Sequence, residues 1–255
     1  MTTSISVQEG TDACNTIGCD NCAVGDLCAR YSDNQNKEHE AVLQHYHPLN
    51  DSGSHIFWEG DKFDLLYAVK SGCIKTYTLD EDGNERIRGF YLPGDLVALD
   101  ALYSDEYTSS ACAVVPTQVC GIPYSQLTRV VASKPELQQR LLKMMSKDLS
   151  TALALAGDYS AEQRMAAFLL HLYEREQQRH IGKNGEIELL MPRRDIASFL
   201  RLAPETASRV LSRFQQQGMI RSRQRCLQLN DPQALWALAQ PLGITSTPCE
   251  NRRAA

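Results

Sequence analysis

The sequence predicts an α+β chain with four parts: an N-terminal cysteine loop, a β jelly roll, one long helix, and a C-terminal helix-turn-helix flanked by short strands. Three observations carry that prediction. Four of the nine cysteines, Cys14, Cys19, Cys22 and Cys28, fall within fifteen residues in a stretch with almost no apolar periodicity. From Phe63 to Tyr124 short β-type runs alternate with turn signals, and after Pro135 the apolar spacing becomes helical. Between Arg193 and Phe214 two short amphipathic segments are separated by three residues, which is helix-turn-helix spacing.

At 255 residues the chain accommodates two domains with cores of their own. Hydrophobic residues make up 43% and charged residues 22%, an ordinary globular composition. No apolar run reaches the roughly 18 residues of a membrane span, and the opening MTTSISVQEG lacks the charged-then-apolar layout of a secretory signal. The expectation is a cytoplasmic protein with no membrane partner. Nine cysteines, an odd number, then point to metal ligation or reactive thiols rather than to a disulfide framework.

The net charge of −5 hides a division. Residues 1–160 carry 12 Lys/Arg against 22 Asp/Glu, a balance of −10, whereas residues 161–255 carry 14 against 9, a balance of +5. Within 193–225 eight Arg meet two acids. That local +6 is the footprint of a surface that contacts phosphates.

In chain order, residues 1–35 form the cysteine segment and 36–134 the β domain. Five strands are expected there, at Phe63–Val69, Cys73–Leu79, Glu85–Leu92, Ser109–Val115 and Gln118–Tyr124. Asp82-Gly83, Pro93-Gly94-Asp95 and Pro116-Thr117 punctuate them, and such regular short strands suggest a sandwich or jelly roll. Residues 135–157 hold the long helix. Its Leu142, Met145, Leu149, Ala152 and Ala156 are spaced as a heptad seam, with Leu141, Met144 and Leu153 as a second apolar flank. One face can cover the β domain while the seam meets a second copy, making a homodimer. Ser160-Ala-Glu-Gln163 is a capping box that starts a new helix over 161–178 and marks a domain boundary. Within 158–240 a strand is expected at Glu186–Met191 and a hairpin at Met219–Arg223 and Cys226–Leu229. Residues 241–255 read as a disordered tail in which Cys249 is incidental.

The helix-turn-helix reads as a DNA-binding element. Ile196, Ala197 and Leu200 supply one inner face, and Leu202, Ala207, Val210, Leu211 and Phe214 the other. Pro204 suits the first turn of the second helix. Glu205, Ser208 and Arg209 share the outward face near its start. Arg can pair bidentately with guanine, Glu can accept from cytosine, and Ser can touch either kind of edge. Arg193, Arg194 and Arg213 are the matching candidates for the DNA backbone. Arg201 stands where a turn of this kind often has glycine for a left-handed residue.

Cys19, Cys22 and Cys28 have the spacing C-x2-C-x5-C, which can wrap an iron–sulfur cubane. The same C-x2-C step serves zinc, and spacing alone does not separate the two. The fourth ligand is open as well: Cys14 is local, whereas Cys120 lies about ninety residues on. If Pro116-Thr117 is a two-residue hairpin loop, Ala113 faces Cys120 and Cys112 points to the opposite side of the sheet; a three-residue loop reverses this. Cys73, Cys112 and Cys226 are expected to be small core hydrophobes. No nucleophile elbow, phosphate-binding glycine loop or paired-acid motif is present, so the chain is not read as an enzyme.

The order of β roll, long helix and helix-turn-helix with Glu205-x-x-Ser208-Arg209 resembles the CRP/FNR family of bacterial transcription regulators over residues 19–240. The cysteine spacing and the distant thiol in Val119-Cys120-Gly-Ile-Pro-Tyr124 are similar to its oxygen-sensing FNR branch. The resemblance implies a double-stranded β-helix like that of cyclic-nucleotide-binding domains, dimerisation through 136–156, and a winged helix-turn-helix. It further implies a 4Fe-4S cluster on Cys19, Cys22, Cys28 and Cys120, with Cys14 as the spare, and zinc as the alternative. A two-fold DNA site with TTGAT-like half-sites is implied too, as is a contact with RNA polymerase through the loop Asp80 to Glu85. Nucleotide-binding members use an Arg for the cyclic phosphate within the segment that here runs from Leu96 to Pro116; it holds no Lys or Arg, so no cyclic nucleotide is expected. Haem-sensing relatives are a rival that His39, His45, His47 and His55 do not support by spacing; these are read as surface histidines. FNR-branch proteins can carry an acidic residue near Ala152, and its absence implies that some dimer persists without the cluster.

Overall fold

The computed structural model describes residues 45–179, 186–223 and 225–242. The cysteine segment, with Cys14, Cys19, Cys22 and Cys28, lies outside the described residues, as does nearly all of the expected tail. The β domain has eight strands: β1 (His45–Leu49), β2 (His55–Phe57), β3 (Leu65–Ser71), β4 (Ile74–Leu79), β5 (Glu85–Tyr91), β6 (Leu96–Val97), β7 (Ser110–Ala113) and β8 (Thr117–Pro123). They form two antiparallel sheets, in the orders β1-β8-β3-β6 and β2-β7-β4-β5. Leu66, Val69, Val119 and Ile122 from one sheet meet Ile74, Ala111 and Ala113 from the other in a shared core, the jelly-roll arrangement expected. The five expected strands are present with ends shifted by a few residues. β1, β2 and β6 were not foreseen, because runs of two to five residues show no usable alternation.

One expectation fails here. Strands β7 and β8 do not form a hairpin: β7 pairs with β2 and β4, and β8 pairs with β1 and β3. Cys112 and Cys120 therefore lie in opposite sheets, and the facing argument between Ala113 and Cys120 does not apply. The chain crosses between sheets twice at one place, at Gly72-Cys73 and at Pro116-Thr117. The Thr117 hydroxyl accepts from the Cys73 N–H at 3.0 Å, tying the crossings together. Gly72 has φ +84, and a Cβ there would collide with the Thr117 hydroxyl, so glycine is required.

A helix that sequence reading missed, α1 (Tyr124–Ser133), follows the roll, and Lys134 breaks it from the long helix α2 (Pro135–Ala156). Leu137 is buried, and Leu141 and Met144 pack on the roll's core. Leu142, Met145, Leu149 and Leu153 are exposed by 58, 43, 61 and 64%. The two faces are thus as expected except for Leu153, which joins the exposed seam rather than the roll-facing flank. A seam residue and a flank residue differ by only one helical step, so spacing could not separate them.

The capping box forms as read: Gln163 N donates to the Ser160 hydroxyl at 3.2 Å, and Ser160 N to Gln163 Oε1 at 2.8 Å. It opens α3 (Ala161–Arg179). There follow β9 (Glu186–Glu188), α4 (Arg193–Phe199), α5 (Pro204–Gln216), β10 (Ile220–Arg223), β11 (Cys226–Leu229) and α6 (Pro232–Ala239), with the small sheet ordered β10-β11-β9. The unforeseen α6 is started by Asp231, whose carboxylate accepts from Ala234 N at 3.0 Å, and by Pro232 behind it. A 3-10 turn, Gln240–Leu242, occupies the first residues assigned to the tail. Cys73 and Cys112 are buried, as expected, but Cys226 is exposed on the outer strand face, because the small sheet is covered on one side only.

Candidate nucleic-acid interface and sensor thiol

The interface is assembled from α4, the turn after it, α5 and the β10-β11 hairpin. Ile196, Ala197 and Leu200 of the first half and Ala207, Val210, Leu211 and Phe214 of the second are buried together. The turn closes with Leu202 N on Ala197 O at 2.9 Å. Arg201 takes φ +56, the left-handed conformation for which glycine is the usual residue. Its side chain is exposed, so the strained position is spent on a cation beside the reading helix. Pro204 fills the first turn of α5.

With the apolar stripe of α5 turned inward, Glu205 and Arg209 are exposed and Ser208 is half-buried between them. The structure brings these three together on one face, as their spacing predicts. Arg193 and Arg194 are exposed at the start of α4; Arg194 Nε lies 3.3 Å from Asp195 Oδ1. Arg213 is exposed and pairs with Glu162 of α3. Sequence reading expected the hairpin but did not name its arginines as contacts. Arg221 and Arg223 alternate with buried Ile220 and half-buried Ser222 along β10, and Arg225 is exposed at the turn. The period-2 pattern Ile-Arg-Ser-Arg was the available signal.

In the roll, Cys120 is half-buried in the middle of β8, opposite Tyr46 of β1 and Ala68 of β3. Strand β1, which follows the cysteine segment in the sequence, pairs with the strand that carries Cys120. Cys28 and Tyr46 are 18 residues apart, a reach of up to about 60 Å. The other two roll thiols have different surroundings. Cys73 is fully buried, and desolvation drives its thiol far above the ordinary range. Cys112 is buried with Tyr77 and Ile87, and desolvation pushes it up to about 11. Neither is placed to offer a thiolate. Among the described residues no cluster of three or more His, Cys, Asp or Glu could hold a metal ion.

Among the described residues, His55 and His47 have structural partners. His55 Nε2 lies 2.8 Å from the Tyr77 hydroxyl, its ring stacks on Trp58 at 3.7 Å, and burial lowers its pKa. It is therefore not an ordinary surface histidine. His47 lies edge-on to Tyr67. The loop from Asp80 to Glu85 is a built turn: the Asp80 carboxylate accepts from Asn84 N at 2.8 Å and Asp82 N at 3.1 Å and pairs with Arg86. The Asn84 N–H, with the Arg86 charge, holds that carboxyl below its usual range. Among the described residues no helix is long and apolar enough to cross a membrane.

Comparison with known proteins gives the same picture. Residues 163–238 match the Crp-like helix-turn-helix domain and residues 51–134 the cyclic nucleotide-binding domain. The fumarate and nitrate reduction regulatory protein of Salmonella typhimurium is 36% identical over 228 residues, covering 88% of this chain and 90% of its own. The transcriptional activator protein Anr of Pseudomonas protegens is 35% identical over 230 residues, covering 88% and 93%. Among solved structures, FixK2 from Bradyrhizobium japonicum superposes with a TM-score of 0.65 at 30% identity, covering 76% of this chain and 96% of that one. A CRP/FNR-family regulator from Thermus thermophilus gives 0.58 at 25% identity, covering 77% and 98%.

Proposed function

The chain belongs to the CRP/FNR family of DNA-binding transcription regulators, and on that premise we propose that it is an oxygen-responsive homodimer controlling anaerobic metabolism. It is a regulator and not an enzyme. In this reading DNA is bound while a 4Fe-4S cluster is intact on Cys19, Cys22, Cys28 and Cys120, and binding is lost when oxygen degrades it. The observation that carries it is the position of Cys120: a half-buried thiol on β8, beside the strand that receives the chain from the other three cysteines. Four thiolates suit such a cluster, and the relatives' names, fumarate and nitrate reduction regulatory protein and Anr, accord with it.

What the group supplies when bound is oxygen-labile iron–sulfur ligation. The protein's own part is mechanical. A ligand set shared between the N-terminal segment and β8 ties that segment to the roll. The roll is the body on which Leu137, Leu141 and Met144 seat α2. The opposite face of α2, through Leu142, Met145, Leu149 and, at its far end, Ala152, pairs with a second copy. Two copies then present two α5 helices to a two-fold site with TTGAT-like half-sites. There Glu205, Ser208 and Arg209 read base edges while Arg193, Arg194 and Arg213 contact phosphates. The turn at Asp80 to Glu85 is the surface for RNA polymerase, and the roll acts as a scaffold without a cyclic nucleotide. A cytoplasmic location follows from these partners.

Anaerobic purification tests the reading. A brown protein is expected, with iron and acid-labile sulfide at cluster stoichiometry. Cys120→Ala abolishes that loading and Cys14→Ala retains it. Colourless protein with stoichiometric zinc would make the chain a constitutive zinc-stabilised regulator instead, and the opposite pattern for Cys120 and Cys14 would move the fourth ligand into the loop.

A further inference from the structure

The DNA-binding domain docks on the roll through charges taken out of water. Lys75 of β4 pairs with Glu85 of β5 and, at 3.1 Å, with Asp195 of α4, 120 residues away. The Lys75 and Asp195 side chains are only 9 and 7% exposed. One helical turn on, the Ser198 hydroxyl accepts from Ile87 N at 3.2 Å and donates to Glu85 O at 3.2 Å. Strand β5 is the edge of its sheet, so Ser198 satisfies backbone groups that have no neighbouring strand to pair with. Phe199 closes against Phe90 at 5.4 Å and Phe168 at 5.9 Å. At the far side of the same interface Arg175 of α3 lies 2.6 Å from Asp95, in the turn between β5 and β6.

An apolar contact alone would let α4 slide over the sheet. A buried cation shared by one carboxylate from each domain does not, because a small displacement strips Lys75 of one of its two carboxylates and leaves the buried Asp195 with only the exposed Arg194 beside it. Glu205 and Arg209 on α5 stay exposed with this contact formed, so docking leaves them accessible. We propose that Lys75 is a positioning residue for DNA binding: its pairing with Asp195 locks α4 to the roll, and the packed turn passes that orientation to Glu205, Ser208 and Arg209. The proposal rests on the DNA-reading role of α5. It adds that the roll speaks to that helix through the β4-β5 face as well as through α2.

The test compares Lys75→Met, Asp195→Asn and the double variant as full chains prepared anaerobically. Calorimetry is expected to show one cooperative unfolding of the two domains in the wild-type chain and separate transitions in each variant. Affinity for a duplex carrying two TTGAT half-sites is expected to fall about tenfold, within the usual range for coupled sites. The double variant should lose much less than the product of the singles, since both remove one contact. Lys75→Arg, which keeps the cation, should restore joint unfolding and affinity, a rescue that a general packing defect would not show. Ser198→Ala removes the edge-strand tie without stranding a charge, and decides the matter if a Lys75 variant does not fold. Joint unfolding and affinity within about twofold of wild type in Ser198→Ala and Lys75→Met, or strictly additive losses, overturn the proposal. If the wild-type chain binds no duplex, the DNA reading fails, and the calorimetric arm alone decides whether Lys75 locks the domains.

Discussion

Leu149→Ala isolates the proposed dimer seam, because Leu149 is 61% exposed in the single chain, unlike the roll-facing Leu137, Leu141 and Met144. The substitution removes about three carbon groups worth ~0.8 kcal/mol each when fully buried. Scaled by the 61% exposure that a partner can cover, the loss is about 1.5 kcal/mol per protomer. A two-fold seam counts it twice, so the dimer weakens by about 3 kcal/mol, or roughly 100-fold in Kd. The fold of the protomer should change by no more than about 0.5 kcal/mol, as for other surface positions. Sedimentation velocity over a concentration series reads the first quantity, and denaturant unfolding of the dissociated chain reads the second. A Kd shift below about threefold would falsify the assignment of this seam. The same experiment on wild-type chain free of the proposed cluster should retain dimer, since Ala152 puts no negative charge in the seam; purely monomeric protein refutes that.

Arg209→Ala should cost about 1–3 kcal/mol in DNA affinity and relax the choice at one base pair, measured against a panel of single-base variants; equal loss on all sequences would demote Arg209 to a phosphate contact. Replacing Arg221, Arg223 and Arg225 together with Ala should weaken all duplexes alike and flatten the salt dependence, by a slope of about 2.7 per protomer, and an unchanged slope would remove the hairpin from the interface. Phe214→Ala should destabilise by about 3–5 kcal/mol, because Phe214 is fully buried on the inward face of α5; circular-dichroism melting checks it. His171 is held neutral, its pKa lowered to about 3 by burial and then by Lys147 and Arg175. The unfolded chain binds a proton near the ordinary 6.5 that the folded chain refuses, so its contribution to stability falls as pH drops below 6.5. Asp148, raised to about 6 by burial and Asp95, works in the opposite sense between 3.8 and 6. The difference between wild type and His171→Gln cancels Asp148 and should change by about 1.1 kcal/mol per pH unit between pH 6.5 and 5; a flat difference would show that His171 takes up its proton as readily in the fold as in the unfolded chain.

What was legible from the sequence alone was local. The capping box at Ser160 and Gln163, the inward and outward faces of α5, and the left-handed demand on Arg201 each involve residues a few positions apart, where helix period and capping chemistry leave little freedom. Tertiary structure decided whatever depended on which distant segments meet. Cys112 and Cys120 were set in opposite sheets because the chain crosses the roll between them, and no turn rule could say so. Leu153 and Cys226 were left exposed because, among the described residues, no layer covers the faces that carry them. The Lys75 and Asp195 pair, 120 residues apart, had no sequence signal at all: a lysine in a strand and an aspartate in a helix read as solvated charges until packing removes the water between them.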